Sequence, residues 1–211
     1  MNTIMFDLDG TLLDSMHMWK NLGSNFLLRK NLKITDDVIK TMSTMSLVMS
    51  SAFLKEYYNL PESSDKIHKD FKNTVMYFYL NEVDPKVGAI EVLKKYKKLG
   101  KKVLLATATN EEFVKPTLDK FGIYHYFDGI YTSDTVGEKK DSPKFFDKIL
   151  NIENISASST LLFDDSEFAL LAAKKSGIKT CCVIDQYSIA NYEMLKKECD
   201  FYIENFTDWM I

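Results

Sequence analysis

Cysteine, net positive charge and unbroken apolar sequence are all scarce in this chain. Its 211 residues include three cysteines, Cys181, Cys182 and Cys199. The odd count, with no paired framework and no metal-ligand spacing, excludes a disulfide scaffold and a cysteine-based metal centre. Cys181 and Cys182 fall in an apolar strand pattern and read as reduced core residues, so a cytoplasmic location is expected. No apolar run reaches the roughly 18 residues that a membrane helix needs. Asp7, Asp9 and Asp14 interrupt the N-terminal apolar segment, so a signal peptide is not expected either. Lysine and arginine total 27 against 30 aspartates and glutamates, a formal charge of -3. Nothing in that balance calls for a nucleic-acid polymer as partner. Lys94-Lys95, Lys97-Lys98 and Lys101-Lys102 read as the solvated face and exit of a helix.

What the chain does have is ordinary globular composition, 45% apolar and 27% charged, and enough length for one good core plus a smaller unit. The opening Ile4-Met5-Phe6 run reads as a buried strand, ended by Asp7 and Asp9, with Asp9-Gly10 as a turn. Residues 16–81 then contain no convincing strand and little Pro or Gly. Trp19, Leu22 and Phe26 recur at helical spacing, as do Ile67, Phe71, Val75 and Phe78, and Met42, Met45 and Met49 form an apolar stripe read as helical core. After a linker at 81–85, Asp84 is expected to cap a helix with Pro85 at its first position. That helix runs through Ala89, Leu93 and Tyr96 to Gly100.

Strands are expected at 101–107, 129–132, 160–163 and 180–184, with an edge strand at 200–203. Between them lie helices ending near Gly122, over 143–150, up to Gly177 and near 190–197, and Pro116 should kink or restart the first of these. The alternation predicts an α/β fold, a Rossmann-like parallel sheet core with an inserted α-helical cap domain. Residues 1–15 and 82–211 would form the core and 16–81 the cap. Two connections to one strand tip would let such a cap act as a lid.

Ligands of open parallel sheets bind at the carboxyl ends of the strands, and four polar clusters fall there. They are Asp7 and Asp9, then Thr107-Ala108-Thr109-Asn110, then Lys139 and Lys140, then Asp164-Asp165-Ser166. Carboxylates from separate strand ends repel unless a cation lies between them, and all-oxygen ligands suit Mg²⁺. Asp7, Asp9 and Asp165 are the candidates to hold it, with Asp164 nearby. A lysine among carboxylates can balance a dianionic phosphate whose oxygens meet a hydroxyl and backbone N–H groups. Together these point to phosphoryl transfer through an aspartyl-phosphate.

On these motifs the chain resembles the haloacid dehalogenase-like hydrolase superfamily, in the helical-cap branch that includes phosphoglycolate phosphatases and β-phosphoglucomutase. The resemblance implies Asp7 as nucleophile and Asp9 as general acid/base, with the Asp9 backbone carbonyl rather than its side chain on Mg²⁺. It makes Thr107 a phosphoryl-binding hydroxyl and Lys140 the third-motif lysine, from the match of Lys140-Asp141-Ser142-Pro143. Asp164 and Asp165 match the fourth motif. Gly10 and Thr11 shape the turn around the nucleophile, and Ala108 lies beside the phosphate.

Asp141 stands where proline is common, which keeps Lys139 as a rival to Lys140. Ala108 stands where many relatives have Asn, and Asp164 replaces a frequent Glu. Asp9 argues against dehalogenation, which needs no acid for an alkoxide leaving group, whereas ester cleavage benefits from one. The reading is a Mg²⁺-dependent phosphatase of a small phosphorylated metabolite, a monomer or weak homodimer. A sugar phosphomutase is the main alternative, disfavoured because the cap has no basic cluster for a second phosphate. An inactive binding module is the other. His17, after the opening motif, is either a hinge residue or structural.

Overall fold

The computed structural model describes residues 1–42, 45–187 and 192–209. The chain divides into two compact units, Met1–Met16 with Val83–Ile211, and His17–Glu82. The first opens with β1 (Thr3–Phe6), whose four residues are all buried. A strand apolar on both faces belongs in the middle of a covered parallel sheet, and β1 lies there.

The helical segment follows as α1 (Met16–Leu28), α2 (Asp36–Met42), α3 (Leu47–Tyr57) and α4 (Ser64–Asn81). Ser46 and Ser63 cap α3 and α4, each accepting a backbone N–H with its hydroxyl. The stripes of α1 and α4 meet: Leu22, Phe26, Ile67, Phe71, Val75 and Phe78 are buried, and Phe26 meets Phe71 edge to face. The methionine stripe is not a continuous helical core. Met42 is the last residue described in α2, Ser46 caps a separate helix, and Met49 is 55% exposed. A cap between two of the three methionines breaks their common face.

The remainder alternates, as α5 (Ala89–Lys98), β2 (Lys102–Thr107), α6 (Glu111–Lys120), β3 (Gly129–Thr132), α7 (Ser133–Val136), α8 (Pro143–Glu153), β4 (Thr160–Asp164), α9 (Glu167–Lys175), β5 (Lys179–Val183), α10 (Tyr192–Glu198) and β6 (Phe201–Ile203). The order across the sheet is β3-β2-β1-β4-β5-β6, with every neighbouring pair parallel. This is the doubly wound Rossmann order, whose direction reverses at β1 and opens a crevice beside the strand ends there. Met5, Leu104 and Leu162 pack with Phe145, Phe146, Ile149, Ala169 and Ala173 of α8 and α9. On the opposite face Phe6 stacks on Phe163 at 5.0 Å, and Tyr96 and Phe206 pack against both rings. Both faces are therefore covered.

Two local expectations fail. Asp84 and Pro85 do not start a helix, because their backbone is used elsewhere. Asp14 N–H donates to Asp84 O, Lys86 N–H donates to Leu12 O, and Pro85 pairs with Leu13 in an antiparallel bridge. α5 instead begins after Gly88, whose φ of 79° and close approach to Thr207 favour glycine. Pro116 does not split its helix: α6 runs continuously through it. The helix expected near 190–197 is α10, and residues 190 and 191 lie outside the described ones. No helix among the described residues is long and apolar enough to cross a membrane.

Candidate active site

The ladder between β1 and β4 continues one residue past β1, with Asp7 N–H donating to Phe163 O at 2.9 Å. Asp7 is thereby held beside Asp164, the last residue of β4. The chain then folds back on itself. Leu12 and Leu13 N–H both donate to Leu8 O, and Gly10 N–H donates to Leu13 O.

Gly10 has φ of 73°, and a Cβ there would lie 2.2 Å from Asp165 Oδ2. No other residue type allows the turn to press so closely on that carboxylate. Gly10→Ala is expected to cost about 1–2 kcal/mol for the left-handed backbone alone, before the displacement of Asp165. Urea unfolding of the purified variant measures the loss, and unchanged stability would contradict this close approach.

Lys140 comes from the segment between α7 and α8. Ser142 caps α8 and Pro143 begins it, while Phe145 and Phe146 anchor the helix in the core. Lys140 is buried and its Nζ lies 2.7 Å from both Asp7 Oδ1 and Asp164 Oδ2. Lys139 is exposed. Asp165, also buried, accepts from the Thr11 hydroxyl at 3.4 Å, and Ser166 N–H donates to Asp164 Oδ1 at 2.9 Å.

Asp7, Asp164 and Asp165 each offer an oxygen within 4.8 Å of the others. Two of these three buried carboxylates, Asp7 and Asp164, thus share the Lys140 ammonium. Burial raises the Asp164 carboxyl to about 7, with Asp7 repulsion adding to this and Lys140 attraction opposing it. Burial alone would lower the Lys140 ammonium, but Asp164 and Asp7 outweigh it and hold the group above its ordinary value. An all-oxygen, negatively charged donor set of this kind fits a hard divalent cation such as Mg²⁺.

The Asp9 carboxylate is engaged differently. Ser15 Oγ donates to its Oδ1 at 2.5 Å, and Thr109 Oγ1 donates to its Oδ2. Thr107, at the end of β2, hydrogen-bonds Thr109, whereas Ala108 between them is exposed. Ser15 and Thr109 are the residues that sequence reasoning left without a role. Ser15 ends the opening motif and Thr109 lies two residues past Thr107, but only the folded chain brings both onto one carboxylate. His17 packs edge-on against Phe78 at 5.2 Å within the helical unit.

A sequence model of the haloacid dehalogenase-like hydrolase family matches residues 4–183. Phosphoglycolate phosphatase of Pseudomonas fluorescens strain Pf-5 is 31% identical over 191 residues, covering 87% of this chain and 69% of that protein. Phosphoglycolate phosphatase of Aquifex aeolicus is 30% identical over 207 residues, covering 92% and 90%. Among solved structures, CbbY from Rhodobacter sphaeroides in complex with xylulose-(1,5)bisphosphate superposes with a TM-score of 0.80 at 20% identity, over 98% of this chain and 95% of that one. At that identity the superposition speaks for the fold alone.

Proposed function

Since this chain belongs to the haloacid dehalogenase-like hydrolases, with residues 4–183 matching the family, we propose that it is a Mg²⁺-dependent phosphatase of a small phosphorylated metabolite, acting through Asp7. The observation that carries this reading is the convergence of Asp7, Asp164, Asp165 and Lys140 at the crevice where the strand order reverses. Asp7, Asp164 and Asp165, with the Asp9 backbone carbonyl, are the groups to hold Mg²⁺. When bound, the ion supplies positive charge that polarises the phosphoryl oxygens.

The chain's own residues supply the rest. An Asp7 carboxylate oxygen attacks phosphorus as the ester P–O bond breaks, and Asp9 gives its proton to the departing oxygen. Water then attacks the aspartyl-phosphate and loses a proton to Asp9. Inorganic phosphate leaves and the Asp7 carboxylate is restored. Lys140 keeps Asp7 oriented and offsets charge on the incoming phosphoryl group, with Thr107 at the neighbouring strand end and Gly10 and Thr11 holding the turn. Ala108 brings no side-chain polar group to that loop.

The test is a panel of phosphate esters assayed with Mg²⁺ and with EDTA. Phosphoglycolate, the substrate in the names of the two relatives above, heads it, followed by sugar phosphates, nucleotides and pyrophosphate. Release of inorganic phosphate from at least one ester, abolished by EDTA and restored by Mg²⁺, is the expected result. Net isomerisation of a sugar phosphate, stimulated by a bisphosphate with little free phosphate, would replace this reading with the phosphomutase one. No turnover on any ester would leave the binding module.

A further inference from the structure

Resting on the phosphatase reading, we propose that Thr109 is a positioning residue for proton transfer. Its hydroxyl pins Oδ2 of Asp9 and so fixes the orientation of the carboxyl that exchanges a proton with the leaving group, with Oδ1 turned to Ser15. The hydrogen bonds around Asp9 run in a set direction. Thr107, Thr109, Ser15 and Asp9 are all buried, so each polar hydrogen there has few places to go.

An ionised carboxylate only accepts, so the Thr109 hydrogen is committed to Asp9 Oδ2. Thr109 Oγ1 must then act as acceptor in its 3.0 Å contact with Thr107 Oγ1, which makes Thr107 the donor. Thr107 Oγ1 in turn accepts the Thr109 N–H at 3.2 Å. The short chain therefore runs one way, from the Thr109 backbone through two hydroxyls to Asp9. Hydrogen bonds aligned in this manner polarise and strengthen one another.

Ser15 is not committed in the same way. Its hydroxyl donates to Asp9 Oδ1 at 2.5 Å. The same group can rotate and accept once that oxygen bears a hydrogen, because a hydroxyl is both donor and acceptor. Oδ1 can therefore be protonated or bare with Ser15 beside it as acceptor or donor, while Oδ2 keeps the Thr109 hydrogen in both states. In the first half-reaction the Asp9 proton passes to the ester oxygen as its bond to phosphorus breaks. In the second, the attacking water returns a proton to Asp9. Thr109 keeps donating to Oδ2 throughout, so the carboxyl plane does not turn between the two steps. Thr109 itself touches no reacting atom.

Thr109→Val keeps the shape and removes the hydroxyl, and Thr109→Ser keeps the hydroxyl. The discriminating readout is kcat on an alkyl phosphate, which needs an acid to release its alkoxide, against kcat on p-nitrophenyl phosphate, which does not. The valine variant is expected to lose about 10- to 100-fold on the alkyl ester, the scale of a misplaced catalytic group, and only a few-fold on the aryl ester. Thr109→Ser should restore the alkyl-to-aryl ratio. Thr109→Ala, which adds no bulk, is carried in parallel so that a folding defect confined to the valine variant does not decide the matter. An unchanged ratio in the valine or alanine variant, or a ratio in the serine variant as low as theirs, would overturn the inference while wild-type turnover keeps the phosphatase reading. A wild-type protein without turnover on either ester overturns both.

Discussion

Asp7→Asn is expected to abolish measurable hydrolysis of every ester the wild type accepts, a loss of roughly 10⁴-fold or more, as for removal of other covalent nucleophiles. The amide has nearly the size of the carboxylate but lacks the charge needed to attack phosphorus. Stability should move the other way. The substitution removes one of three carboxylates crowded within 4.8 Å, and Lys140 keeps Asp164 as its partner. Native sites that concentrate like charge sit below their stability optimum, so the melting temperature of Asp7→Asn should equal or exceed that of the wild type in EDTA. Loss of activity together with loss of fold would instead assign Asp7 a structural role.

Lys140→Met should cost both activity and stability. Lys140 is the cation between Asp7 and Asp164, 2.7 Å from each. Removing one partner of a buried ion pair leaves uncompensated charge and typically costs about 3–5 kcal/mol. The pH dependence follows from Asp164, whose carboxyl burial has already raised to about 7 with Lys140 present. Without the lysine that value goes higher. A carboxyl raised in the folded state contributes stability that is fully present below its ordinary value near 3.8 and lost as pH rises through the folded value. The deficit of Lys140→Met should therefore be largest above about pH 7 and shrink on acidification. Mg²⁺ should recover part of it by binding only the folded protein. Urea unfolding across pH, with EDTA and with Mg²⁺, measures all three effects. A deficit that grows on acidification would contradict the arrangement.

The sheet is legible in sequence because its central strands are short, apolar and punctuated by Gly or Asp, so Ile4-Met5-Phe6 and Leu161-Leu162-Phe163 declare themselves without tertiary information. The carboxylates follow for the same reason, since a charge that ends a buried strand has a fixed place in a parallel sheet. Lys140 could not be separated from Lys139 in this way. The choice depends on how far the chain advances between Gly137, with φ of 68°, and the Ser142 cap, and adjacent lysines carry no mark of which one turns inward.

Asp84 and Pro85 mislead because their cap-like spacing is overridden by backbone pairing with Leu12 and Asp14, residues some 70 positions away. Thr109 and Ser15 are hidden for a related reason. Hydroxyl side chains are common and unpatterned, and their meaning lies in which acceptor the fold places in front of them.

A phosphoryl group carried on Asp7 can be trapped chemically. Enzyme turning over its best ester with Mg²⁺ is quenched in borohydride, which reduces an acyl phosphate to an alcohol, and peptides are mapped by mass spectrometry. Residue 7 is expected to become homoserine in a reaction that requires ester and Mg²⁺ and is absent from Asp7→Asn. Phosphate release at the full wild-type rate with Asp7 unmodified, or with the reduced residue found at another position, would contradict it.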